Sequence, residues 1–221
     1  MRKVALVTGA GSGIGRAIVY MLAKQGIKVY ANARNEEKIS ETISLCKDFD
    51  VEPLLFDVTD PEMIREKIDS LERLDYLVNN AGKSIVKKEI AEYDQDDWDS
   101  ILNTNVKGYF YVTQAALKKM SGGAAIVNMS SGAAKTGGDF VSIPYSTSKG
   151  AINSLTICLA RDLAKRGIRV NAVSPGFVNT PMLMLNGKPV DYYDSVIPLG
   201  KLGVPKDIVL EPGFFNHSEL N

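Results

Sequence analysis

An α/β fold built on a doubly wound parallel sheet is predicted by two features of this 221-residue chain. Short β-branched runs alternate with longer segments of helical period from one end to the other, and the first run passes through a glycine-rich turn directly into a helix. Parallel strands joined by crossover helices bury both sheet faces, so their strands read as short apolar runs rather than as polar–apolar alternation. Nothing resembling a linker, a repeat or a low-complexity tract interrupts the pattern, and 45% hydrophobic residues supply one full core. A single domain follows.

The strands are expected at 4–7, 28–32, 52–56, 76–78, 125–128 and 170–173, and the helices at 14–25, 36–46, 61–71, 98–120 and 145–166. The helix at 14–25 follows a glycine turn, that at 61–71 opens on Pro61, and that at 145–166 is preceded by Pro144, each a suitable helix entrance. Ligands of such a sheet gather outside the carboxyl ends of the strands, near the point where strand order reverses.

Composition removes several functions. Twenty-six basic and 26 acidic residues leave no net charge, so neither a nucleic-acid footprint nor attraction to anionic membrane is expected. Cys46 and Cys158 form no CxxC pair and His217 is the only histidine, which argues against disulfide frameworks, zinc sites and histidine triads. With no run of eighteen apolar residues, the chain reads as a cytoplasmic protein with reduced thiols.

After the first strand comes Thr8-Gly9-Ala10-Gly11-Ser12-Gly13-Ile14-Gly15. Glycines let backbone approach a pyrophosphate, and the opening helix turns its free N–H groups and positive dipole end toward the anion; a tight turn without ligand is the plainer reading. The Gly9, Gly13, Gly15 spacing is GxxxGxG, which is not the GxxxxGK[ST] loop of ATP chemistry. About twenty residues further on, where an acid would hold the adenosine ribose of NAD, the chain reads Asn32-Ala33-Arg34-Asn35. Arg34 suits a 2′-phosphate and favours NADP over NAD, or else is a solvated strand-end arginine. Asp57, followed by Val58, is placed to accept from the adenine amino group, or caps a turn. Asn79-Asn80-Ala81-Gly82 offers a further small-residue turn beside a ribose.

Tyr145 and Lys149 lie four apart at a helix start and so share a face. Tyr20 and Lys24 have the same spacing, but late in their helix and far from the strand ends. Hydride transfer at a carbonyl carbon leaves an oxygen that must gain or lose a proton, and without a metal or a well-placed histidine the Tyr145 phenol is the leading candidate. The Lys149 ammonium is expected to favour its phenolate by charge attraction, and Ser131, at the end of the fifth strand, to hold the substrate oxygen.

With these residues in place the chain resembles the short-chain dehydrogenase/reductases, in particular the 3-oxoacyl-(acyl-carrier-protein) reductase-like members. The resemblance covers residues 1–207 and rests on six motifs in order: the glycine turn, NNAG at 79–82, NTNV at 103–106, NMSS at 128–131, YSTSK at 145–149 and RVNAVSPG at 169–176. It implies a Rossmann-like fold with Tyr145 as acid/base, Lys149 also on the nicotinamide ribose, Ser131 orienting substrate and Asn105 supporting a water relay behind the lysine. Pro175, Gly176, Val178 and Thr180 resemble the family's turn around the nicotinamide carboxamide. Two departures stand out. Ser12 occupies a position where NADP-preferring relatives often carry a cation, and past residue 207 the final strand is apparently missing, leaving 208–221 as an atypical tail with Phe214 and Phe215 as substitute cover for the sheet edge.

The residues from 182 to 198 are expected to form a substrate lid, with Met182, Leu183, Met184, Leu185, Tyr192 and Tyr193 as an apolar wall or as plain packing. Helices 98–120 and 145–166 are apolar on more than one face, which predicts a homodimer; a tetramer is not expected without the final strand. The expected activity is NADP(H)-linked interconversion of a ketone and an alcohol, with a 3-oxoacyl substrate, free or carrier-protein-linked. The alternatives are an NAD-linked sugar or secondary-alcohol dehydrogenase and a non-catalytic dinucleotide-binding regulator.

Overall fold

The computed structural model describes residues 2–138, 141–185 and 187–209. Six parallel strands, β1 (Val4–Val7), β2 (Lys28–Ala33), β3 (Val51–Leu55), β4 (Tyr76–Asn79), β5 (Ala125–Met129) and β6 (Arg169–Val173), form one sheet in the order β3-β2-β1-β4-β5-β6. Strand order reverses between β1 and β4, so a crevice opens there at the carboxyl edge. Register aligns that edge: Val7 pairs with both Ala31 and Val78, Asn79 with Asn128 and Met129 with Val173.

Successive strand residues face opposite sides of a sheet, and here both sides are buried. Ala5, Val7, Val78 and Val127 pack on α1 (Gly13–Lys24) and α2 (Glu36–Leu45) through Ile18, Val19, Leu22 and Ile39. Leu6, Leu77 and Ile126 belong to the other face, with Ile64 and Ile68 of α3 (Pro61–Asp69) and residues of the helices that follow β4.

The predicted helix 98–120 is divided. It runs as α4 (Gln95–Leu102), one wide π turn (Asn103–Lys107) and α5 (Gly108–Ala116). The Thr104 hydroxyl bonds back to the Ser100 carbonyl at 3.0 Å, and the wider turn coincides with full burial of Asn105, a placement characteristic of functional sites. After β5 come α6 (Ala133–Thr136) and α7 (Ile143–Leu163), whose Pro144 sits in the first turn. Beyond β6 the described residues form three short helices, α8 (Pro181–Met184), α9 (Val190–Val196) and α10 (Pro205–Ile208). Among the described residues β6 is a sheet edge, with Asn171 and Ala172 exposed, and no seventh strand pairs with it. Ile208 and Val209 pack against the core on the α1 side. Phe214, Phe215 and His217 lie outside the described residues.

Candidate active site

The glycine turn is shaped by contacts that leave no room for side chains. Gly9 has φ +65°, and a Cβ on it would stand 2.7 Å from the Ala81 Cα; a Cβ on Gly15 would collide with the Gly9 carbonyl and reach the Asn80 amide at 2.5 Å. Polar side chains hold the turn in that shape. Buried Thr8 accepts from the Asn80 and Ala81 amides at 2.9 and 3.0 Å, and Asn80 Nδ2 returns bonds to the Thr8 and Gly9 carbonyls at 2.9 and 3.2 Å. Arg16 reaches back from α1 to the Gly11 carbonyl (2.6 Å), Thr42 Oγ1 (3.1 Å) and Glu41 (2.6 Å), and Thr42 in turn donates to the Ala10 carbonyl at 2.8 Å.

This turn forms the floor of a cleft of about 1210 Å³ running along the carboxyl edge. Gly9, Ser12, Gly13, Ile14 and Gly15 line it, as do Arg34, Asp57 and Val58 from the β2 and β3 ends and Ala81 and Gly82 after β4. Ser131, Tyr145, Lys149, Pro175, Gly176, Val178 and Thr180 complete it from the β5 and β6 side. Asp57 also accepts from the Thr59 amide and hydroxyl, both at 2.8 Å, so it is a turn aspartate as well as a lining one.

Two expected site residues stand behind the cleft instead. Asn79 is wholly buried within the sheet, donating to Thr113 Oγ1 and Asn128 Oδ1 at 2.9 Å each, because alternate residues of a strand end point to opposite sides; its neighbour Asn80 lines the cleft. Asn105 is likewise buried, accepting from the Lys83 amide (2.8 Å) and donating to the Lys83 carbonyl and Ser148 Oγ (3.0 Å each). Since Ser148 donates to the Tyr145 carbonyl, Asn105 ties the loop after β4 to the first turns of α7.

Ser131, Tyr145 and Lys149 meet at the β5 end. Burial pushes the Tyr145 phenol above its ordinary value, and a hydrogen bond with Ser131 opposes that rise by favouring the phenolate. The Lys149 ammonium meets Tyr145 through its ring face, while its hydrogen bond goes elsewhere. Lys149, 3% exposed, donates to the Met129 carbonyl at 2.7 Å, and its Nζ stands 5.7 Å from the Tyr145 ring centroid. Desolvation without a carboxylate partner brings the lysine down to about 7. Near neutrality, therefore, the cleft holds a protonated phenol beside an amine poised between charged and neutral forms.

The wall beyond β6 is narrower than its sequence suggests. Met182 and Leu183 line the cleft, whereas Met184 and Leu185 point to solvent. Tyr193 turns inward, fully buried, with its ring 5.4 Å from Phe177 and its hydroxyl on the Leu183 carbonyl at 3.3 Å. Sequence reasoning missed Lys38, which lines the cleft one helical turn beyond Arg34, and Tyr109, whose hydroxyl lies 3.4 Å from Lys149 Nζ. The NEEK spacing after β2 carried a signal for Lys38; Tyr109 sits in an apolar run that carries none.

No group of metal-binding side chains and no helix long and apolar enough to cross a membrane occurs among the described residues. The sequence profile of the family described as short chain dehydrogenase matches residues 3–190. NADPH-dependent aldehyde reductase 1, chloroplastic, of Arabidopsis thaliana is 34% identical over 221 residues, spanning 93% of this chain and 76% of its own. The 3-oxoacyl-(acyl-carrier-protein) reductase of Thermotoga maritima is 37% identical, spanning 93% of this chain and 87% of its own. A variant of actinorhodin polyketide ketoreductase crystallised with NADPH superposes with a TM-score of 0.88 at 30% identity, covering 97% of this chain and 92% of that one.

Proposed function

This chain belongs to the short-chain dehydrogenase family, and from that premise we propose that it is an NADPH-dependent reductase of ketones, with 3-oxoacyl groups as the favoured substrate class. The observation that carries the reading is one cleft with a cation pair at one end and Ser131, Tyr145 and Lys149 at the other.

The residues present fit a dinucleotide. The glycine turn is packed against Ala81, Lys38 and Asn80 too closely for a Cβ at Gly9, Gly11 or Gly15, a shape that leaves backbone free to approach a pyrophosphate, and the N-terminus of α1 opens toward it. Arg34 and Lys38 offer two cations for a 2′-phosphate, so the second half of the phosphate clamp comes from α2 while Ser12 stays neutral. Relatives described as NADPH-dependent or crystallised with NADPH support the same choice. Pro175, Gly176, Val178 and Thr180 would hold the nicotinamide end, and NADPH when bound supplies the hydride.

The chain itself supplies proton and orientation. Tyr145 gives its hydroxyl proton to the carbonyl oxygen as that oxygen becomes an alcohol; a phenol raised by burial is fully protonated at neutral pH, which suits the reductive direction. Ser131, fixed by the Ala133 amide on its Oγ at 3.2 Å, donates its single hydroxyl proton to the Tyr145 oxygen in the empty cleft and turns that proton to the carbonyl oxygen when substrate is bound. Asn105 keeps α7 in register with the loop after β4. The water relay that we propose behind Lys149, on the family resemblance, would have to use its Oδ1, since both Nδ2 hydrogens are taken by the Lys83 carbonyl and Ser148. The catalytic domain is taken as residues 1–207, with Ile208 and Val209 still packed on its core. Exposed Phe110 and Ile157, 43% and 56% accessible on α5 and α7, are taken up in a homodimer interface.

The test is titration with NADPH and NADH followed by a panel of 3-oxoacyl thioesters, cyclic ketones and sugars. NADPH preference with turnover of a 3-oxoacyl thioester is expected. Binding of nucleotide with no carbonyl reduced would overturn the reading in favour of a regulator. NADH preference, with a sugar or secondary alcohol oxidised once NAD+ is supplied in place of the reduced cofactors, would favour a dehydrogenase.

A further inference from the structure

Lys149 is the one lysine or arginine buried among the described residues. Burial strips its ammonium of water, and two neutral oxygens take water's place: the Met129 carbonyl at 2.7 Å and, as a longer contact, the Tyr109 hydroxyl at 3.4 Å. Tyr109 reaches the site from α5, 1% exposed, and gives its own proton to the same Met129 carbonyl at 3.2 Å. The donor sense of that triangle is fixed. A phenol whose proton is committed to the carbonyl has only a lone pair left for Nζ. The Tyr109 ring adds to the arrangement, with Nζ 5.3 Å from its centroid and 5.7 Å from that of Tyr145, so the ammonium lies between two aromatic rings.

We propose that Tyr109 is a positioning residue for Lys149, presenting an oxygen lone pair and a ring face that keep the lysine charged and seated beneath Tyr145. The role in reduction rests on the proposed function; the contact itself does not. Simple core filling would account for a tyrosine bonded to Met129, but not for its second contact with the one buried cation.

The groups that face the ammonium set the sign of the test. Its own helix contributes Tyr145 and α5 contributes Tyr109, a phenol that burial pushes well above its ordinary value and keeps protonated. From β5 comes the Met129 carbonyl, and from the loop after β4 the backbone of Gly82, where a Cβ would stand 3.8 Å from Nζ. Burial is the cause that lowers Lys149, with no charged neighbour acting on it. The lone pair and the ring face attract the ammonium and not the amine. Removing the hydroxyl therefore lowers the lysine further, and its charge is lost at a lower pH.

The experiment is NMR titration of the lysine side chains in the full chain without cofactor, with Lys149 assigned by its loss in Lys149→Met. Tyr109→Phe keeps the ring, and Met129 keeps a donor, so the fold is expected to persist by circular dichroism. The apparent titration of Lys149 should fall by about half a pH unit or more in Tyr109→Phe, and further in Tyr109→Met, where the ring is lost too. With NADPH and the best ketone, the alkaline limb of kcat should move by the same amount while the ketone KM stays within about twofold. An unchanged Lys149 titration overturns the proposal whether or not any ketone is reduced. A shifted titration with an unshifted kcat limb overturns the positioning role, and loss of the fold in both variants makes Tyr109 a core element alone. A wild-type chain that reduces nothing counts against the proposed function and leaves the NMR result to be read by itself.

Discussion

On the glycine side of the cleft, each backbone turn is pinned by side-chain hydrogen bonds, from Thr8, Asn80, Arg16 and Thr42, and most of those groups are buried or half-buried. Across from it, the described segment after β6 is held by the parallel bridge of Val178 to Gly203, the Thr180 cap of α8, buried Val178 and Tyr193, and carboxylates of Asp194 and Asp207 that accept from the Leu202 and Val204 amides near the surface. Its helices α8 and α9 are four and seven residues long, and Leu185, Val190, Val196 and Leu199 face solvent. Converging polar bonds fix one geometry, whereas apolar contacts are non-directional and tolerate several. One wall is thus built to recognise a fixed shape, the dinucleotide, and the other has the looser form that tolerates substrates of differing shape.

The largest effect should fall where the walls meet. Tyr145→Phe is expected to lower kcat about a thousandfold, the range of a lost general acid, with the NADPH Kd changed less than about threefold. Loss of binding in that variant would show that the phenol serves the glycine wall and would blur the division. Next comes Gly15→Ala. Its Cβ meets the Gly9 carbonyl and the Asn80 amide, partners already fixed by hydrogen bonds. Overpacking there costs about 1–3 kcal/mol, so NADPH binding measured by fluorescence should weaken about ten- to hundredfold. An unchanged Kd would mean that the wall can yield.

The two walls also differ in how far sequence discloses them. Glycines that must have no Cβ are written in residue identity at fixed spacing, and buried strands in short β-branched runs, so the sheet and the turn from Gly9 to Gly15 were legible. The π turn was not, because Asn103-Thr104-Asn105-Val106-Lys107 contains no helix breaker and extends the apolar period on both sides. Asn79 and Asn80 are identical in type, and only the strand's alternation sends one into the sheet and the other to the cleft. The partner of Lys149 is a backbone carbonyl, which no residue type announces. Among the lid's methionines, leucines and tyrosines, spacing could not tell Met182 and Leu183, on the cleft, from Met184 and Leu185, in solvent.

Lys149 tests what the junction costs the fold. Its folded value of about 7 lies below the ordinary 10.5, so between those pH values the unfolded chain binds the extra proton. Stability accordingly rises with pH across that window, at up to about 1.4 kcal/mol per pH unit from this group, and the cost of burying the charge is fully present below pH 7. Urea unfolding at pH 7 and pH 9 should show that slope in the wild type and its loss in Lys149→Met, with the variant the more stable at pH 7. A Lys149→Met variant that keeps the whole slope would place the titration elsewhere.

Arg34→Asp addresses the edge of the glycine wall where a side chain, not backbone, does the recognising. Arg34 is exposed, so the bond proposed for it with a 2′-phosphate is screened, and Lys38 remains. The ratio of NADPH to NADH affinity should fall about tenfold, and a larger collapse would mean that Arg34 acts without Lys38.

The smallest change is expected from the opposite wall, and it is the sharpest test of the contrast. Met182→Ala or Leu183→Ala removes apolar surface from a partly covered side chain, worth about 1 kcal/mol against a substrate tail that reaches it, or about fivefold in KM. A short ketone that does not reach Met182 should show no change, and kcat should stay within about twofold for either substrate because neither side chain can donate or accept a proton. Should KM rise equally for short and long ketones, the α8 segment would be acting through the geometry of the whole cleft, and the wall would be as rigidly specified as the glycine turn facing it.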